Sequence, residues 1–60
     1  MITGSLCRAA RALVQVSRPK LALRSNVEEE VIERFERGLA TPDDATVAAL
    51  RTVLEDLGAL

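Results

Sequence analysis

Apolar residues recur along this chain at every third or fourth position and nowhere alternate at every second one, so the pattern is helical from end to end. Cys7, Ala10, Leu13 and Val14 share one side of a first predicted helix, which Thr3 caps and which runs to about Gln15, with Arg8 and Gln15 on the other side. Arg11 falls beside that apolar side and calls for a partner, because a buried charge needs one. Ser17 caps a second, short helix. Pro19 lies in its first turn, where a missing N–H does no harm, and Leu21 and Ala22 face inward. Ser25 and Asn26 end it, Asn being tolerant of the left-handed backbone of a tight turn. A third helix, from about Glu28 to Arg37, buries Val27, Ile32 and Phe35 and stops at Gly38. Thr41-Pro42-Asp43-Asp44 then predicts a fourth start, with Thr41 as the cap, Pro42 at the first position and the acids against the positive helix end. Val47, Leu50, Leu54 and Leu57 follow at helical spacing up to Gly58. The expectation is an all-α, compact four-helix fold with residues 1–60 as a single domain.

The apolar residues are mostly Ala, Val and Leu, and Phe35 is the only aromatic, so the core must come from several helices packed with small and branched side chains. Cys7, Leu21, Ile32, Phe35, Leu50 and Leu54 are its expected members. A core this small supplies only about 3 to 5 kcal/mol, which leaves self-association to a homodimer as a useful addition.

Catalysis is not expected. The chain has no His, Tyr or Trp, no Gly-rich phosphate loop and no nucleophile paired with its acids. Cys7 is the only cysteine, so neither an internal disulfide nor a thiolate metal site can form, and no cofactor is called for. Cys7 reads as a small core residue, with a reactive thiol as the alternative.

Charge changes the picture because it is divided. Residues 1–27 carry Arg8, Arg11, Arg18, Lys20 and Arg24 without an acid, whereas residues 28–60 carry nine acids against Arg34, Arg37 and Arg51. The halves are +5 and −6, and the net charge of −1 is not that of an ordinary nucleic-acid binder. An acid-free, Arg-bearing start also fits a mitochondrial transit peptide, but its removal would leave too little chain to fold. Arg8 and Arg11 interrupt the one candidate for a signal or membrane segment, so a cytoplasmic protein with no membrane partner is expected.

Thr3-Gly4, the run Cys7-Arg8-Ala9-Ala10-Arg11-Ala12-Leu13, Ser17, Leu21-Ala22, Val27, Ile32, the run Arg34-Phe35-Glu36-Arg37-Gly38, Thr41-Pro42, Thr46, Leu50 and Leu54 stand in register with one known pattern. Over almost its whole length the chain resembles the Cro/C1-type (XRE) helix-turn-helix transcriptional regulators of bacteria. The resemblance implies that the second and third helices form the helix-turn-helix. It also implies a buried ion pair between Arg11 and Glu36, which would supply the partner Arg11 needs.

The departures lie on the surface with which that family touches DNA. Arg18 stands where Gln is usual, and Asn26 where Gly is usual in the turn. Glu28 occupies the position that caps the recognition helix, commonly Ser or Thr, and Glu29 and Glu30 replace residues such as Gln, Arg, Ser or Lys. Read as a DNA-binding repressor, a dimer on a two-fold operator, the chain would make its contacts through Ser17, Arg18, Lys20 and Arg34.

One Glu can read a cytosine in the major groove, but Glu28, Glu29, Glu30 and Glu33 cannot all do so. Each unpaired acid about 6 Å from a phosphate costs roughly 0.7 kcal/mol even in a water-like dielectric. It also removes part of the counterion release that drives binding. The acids do complement the helix dipole, at about 0.3 to 1 kcal/mol each, yet that gain does not account for a recognition surface given up. Leu23, Val16 and Val31 add branched side chains near the second and third helices, although Val16 also fits as filler for a core without large rings. An apolar centre with a charged rim is the anatomy of a protein contact. The expected partner-binding residues are therefore Glu28, Glu29, Glu30, Glu33, Leu23 and Val31, and the expected partner is a protein, a DNA-binding transcriptional activator held by an antiactivator. Short relatives of such regulators on mobile genetic elements act in this way toward quorum-sensing activators, and that part of the expectation rests on the resemblance alone.

Overall fold

Helices α1 (Gly4–Val14), α2 (Arg18–Ser25), α3 (Glu29–Glu36) and α4 (Asp44–Asp56) follow one another without a strand in the computed structural model, which describes all 60 residues. Three of the four starts are closed by a side chain that accepts from an N–H three residues on, satisfying a donor that has no partner within the helix. Thr3 Oγ1 accepts from Leu6 at 3.1 Å, Ser17 Oγ from Lys20 at 3.2 Å and Asp43 Oδ1 from Thr46 at 2.8 Å. Glu28 stands at the cap of α3 and makes no such bond.

The α4 start differs from the expectation. Asp43, not Thr41, is the cap, and Thr41 and Pro42 lie before the helix. Both residue types can cap, but a carboxylate makes the stronger, charge-assisted bond to an N–H. Accepting that bond holds the Asp43 carboxyl below its ordinary pKa. The helix ends follow the turn chemistry: Gln15 and Asn26 take left-handed backbone at φ 57° and 60°, and Gly38 does so at 74°. Helix α1 thus stops one residue short of Gln15, and α3 spans slightly less than Glu28 to Arg37.

Helices α1 and α2 each pack against both α3 and α4. Cys7, Leu21, Ile32, Phe35, Leu50 and Leu54 are all buried, as expected, and Ala10, Val47 and Ile2 complete the core. Val16, Ala22 and Val27 are half-buried against it, so Val16 is filler. Leu13 corrects the expected apolar side, being 72% exposed. The inward stripe of α1 is Cys7, Ala10, Arg11 and Val14, and at 100° per residue Leu13 falls to its flank. Leu57 is likewise half-buried rather than core.

Gly4 brings the first turn of α1 onto the last turn of α3. A Cβ at that position would collide with the Phe35 carbonyl oxygen and crowd the Glu36 Cα. This approach carries the two helices close enough for Arg11 and Glu36 to meet. No helix is long and apolar enough to cross a membrane.

Candidate functional site: the α2–α3 face

Glu36, 8% exposed, is the one charged residue in the buried set, and it is fully partnered. Arg11 grips it in a two-pronged pair, Nε donating to Oε2 and Nη2 to Oε1, both at 2.7 Å. The remaining Arg11 nitrogen, Nη1, donates to the Val16 carbonyl at 3.0 Å and so ties the α1–α2 turn to the pair. The Cys7 thiol donates to Glu36 Oε2 at 3.3 Å, and Arg18 Nε lies 3.6 Å from Oε1. No buried side-chain nitrogen or oxygen lacks a partner. The interior stretch of α3 is therefore held by charge as well as by Ile32 and Phe35.

Burial first, then the hydrogen bond and negative charge of Glu36, push the Cys7 thiol up to about 12 from 9.0. A thiol held neutral in this way is a packing residue, since the thiolate is the reactive form. Because the folded value lies above the unfolded one, the contribution of Cys7 to stability is complete below pH 9.0 and is lost as the pH rises toward about 12. Denaturant midpoints are expected to fall across that window, and the Cys7→Ala variant should show a flatter profile. Alkylation of the native protein should also proceed only as fast as the domain opens.

Beyond Glu36 the surface turns outward. Glu28, Glu29 and Glu30 are exposed and Glu33 is half-exposed, spread over the start and outer side of α3. Three arginines are drawn to this side. Arg18 lies 3.8 Å from Glu33, Arg34 lies 3.7 Å from Glu30 and Arg37 lies 3.6 Å from Glu33. Arg18, Glu29, Glu30, Glu33 and Arg34 line an open depression of about 410 Å³ with no apolar side chain in its wall. Exposed pairs of this kind contribute little to stability, about 0.3 to 0.5 kcal/mol for each pair one turn apart on a helix. Their consequence is electrostatic: the acids already occupy Arg18 and Arg34.

A second groove, of about 390 Å³, adjoins the first at Glu29. Pro19, Ala22, Leu23, Asn26, Val27, Glu28 and Glu29 line it, and Leu23 stands 83% exposed on its wall. The structure thus brings Leu23 together with Glu28 and Glu29, and Glu29 in turn with Glu30 and Glu33. Val31 is half-buried and lines neither groove. On α3 it falls about 160° from Glu29 at 100° per residue, on the Phe35 side. Ser17 spends its oxygen on the α2 cap, while Lys20 and Arg24 are exposed and free of ion pairs. Arg18 reads from the sequence as a free basic residue, and only the approach of α2 to α3 sets it beside Glu33 and Glu36.

No protein-family model, no curated protein and no solved structure matches this chain.

Proposed function

We propose that the chain is a small bacterial transcription-control protein in which α2 and α3 form a Cro/C1-like helix-turn-helix whose outer face binds a protein. The concrete form of the reading is an antiactivator that occupies a DNA-binding transcriptional activator. The observation that carries it is the fate of the two arginines suited to DNA. Arg18 and Arg34 each lie within 4 Å of a glutamate of the same chain, so a phosphate would have to compete with an acid for each of them. Glu28 adds weight, because it sits where a capping side chain would bond to the helix and leaves its carboxylate free. Leu23 supplies the apolar centre next to that acidic rim.

A second reading, a dimeric DNA-binding repressor, is favoured by Lys20 and Arg24, which are exposed and unpaired on α2. Titration of labelled duplex at low salt, including the DNA upstream of the protein's own gene, separates the two. The protein-binding reading expects only weak association without sequence preference. Sub-micromolar, salt-sensitive, sequence-dependent binding would establish the repressor instead.

A further inference from the structure

The groove beside Leu23 is lined by Glu28 and Glu29 and by no cation, and two cations of α2, Lys20 and Arg24, lie on the other side of Leu23. Lys20 and Arg24 are one turn apart on α2 and both are exposed. At 100° per residue Leu23 falls next to them, with Pro19 and Asn26 on its far side toward α3. Beyond these come Glu28 and Glu29, which line the groove. None of the four charged residues takes part in an ion pair within the chain, whereas every other glutamate does. The surface therefore reads, in order, Lys20 and Arg24, an apolar seam, and Glu28 and Glu29, with Asp56 of α4 sharing a depression with Arg24 at the outer edge of the cationic side.

A surface with that order is complementary to itself. A two-fold interface places the same patch on both partners, so that residue i of one copy meets residue j of the other and the reverse. Turning one copy about an axis through Leu23 sets leucine on leucine, Lys20 and Arg24 on the partner's Glu28 and Glu29, and the partner's cations on this copy's acids. We propose that the chain forms a homodimer through this α2–α3 face, with Leu23 at the two-fold seam. An external partner carrying only basic residues would satisfy Glu28 and Glu29 but would meet Lys20 and Arg24 with like charge. A second copy satisfies both sides at once. The dimer encloses Leu23 and the start of α3, so it competes with any other ligand of this face, and it does not depend on which protein that ligand is.

The test needs only purified protein. Sedimentation equilibrium should show a monomer–dimer equilibrium that tightens as salt is lowered, since the flanking pairs are exposed and screened. Leu23→Asp should raise the dissociation constant by about a hundredfold, because the two-fold removes two leucines from the seam and sets two acids against each other. Two further variants give the decisive arm. Lys20→Glu/Arg24→Glu and Glu28→Lys/Glu29→Lys should each be monomeric alone, the first with a wholly acidic rim and the second with a wholly basic one. Mixed in equal amounts they should form a heterodimer at least as tight as the wild-type dimer, with far-UV circular dichroism establishing that each is folded. A wild type that stays monomeric at millimolar concentration overturns the proposal. So does a Leu23→Asp variant that still dimerises, or a mixture of the two folded variants that does not associate.

Discussion

Replacing Glu36 with alanine is expected to bring the unfolded state to a population comparable with the folded one at room temperature. Removing one partner of a buried ion pair strands the other charge and typically costs about 3 to 5 kcal/mol, which matches the whole of what a core this small supplies. Arg11 loses both of its short bonds at once, the Cys7 thiol loses its acceptor, and Arg18 loses the nearer of its two carboxylates. The pair is not intrinsically worth that much, because its formation also took two charges out of water. Arg11→Met/Glu36→Leu, which removes both charges and restores apolar volume, should recover most of the lost stability in urea titrations. If Glu36→Ala alone shifts the urea midpoint only slightly, α3 is held by Ile32 and Phe35 and the ion pair is secondary. The exposed pairs give the contrast. Arg51→Ala, which breaks the Arg51–Glu55 pair on α4, should move the midpoint by no more than about 0.5 kcal/mol.

The second large effect concerns the outer face of α3. On the proposed protein-binding reading, Glu29→Arg/Glu30→Arg is expected to abolish partner binding and leave the domain folded, since exposed positions usually shift stability by less than about 0.5 kcal/mol. The same variant should bind duplex DNA more tightly without sequence preference. It removes two charges that repel phosphate, adds two that attract it, and frees Arg34 from Glu30, 3.7 Å away in the native protein. Two new phosphate contacts should steepen the dependence of log K on log salt by about 1.8, at roughly 0.9 for each phosphate neutralised. Leu23→Ala should weaken the protein contact by about 1 to 2 kcal/mol while leaving DNA affinity unchanged. A repressor would behave differently: the glutamate changes would alter its sequence preference. Partner inhibition that survives both reversals would place the contact on another surface.

Local chemistry made most of the helices legible. Thr3, Ser17, Asn26 and Gly38 act through bonds or backbone angles within a few residues of themselves, and each does in the structure what its type and position predict. The helical period likewise picked out Cys7, Leu21, Ile32, Phe35, Leu50 and Leu54, because burying an apolar stripe is what allows these short helices to pack. The sequence pointed to Thr41 as the α4 cap, and the structure puts the cap at Asp43. Thr41 and Asp43 are both capping residues, and the α4 start fell to the one whose carboxylate reaches the Thr46 N–H.

The rest required helices from different parts of the chain to meet. Leu13 has the same apolar character as its neighbours, and its exposure follows from which side of α1 faces α3 and α4. Ile2 lies outside every periodic segment and is buried only because the assembled helices cover it. Gly4 carries no sign in its own neighbourhood that a backbone carbonyl of α3 will press against it. The charges show the division most sharply. Their signs and order were plain in the sequence, including the change from a basic to an acidic half. Arg34 meets Glu30 one turn away on the same helix, a pairing the spacing already allows, whereas the engagement of Arg18 by Glu33 and Glu36 is a matter of distance between α2 and α3 that the tertiary structure alone fixes.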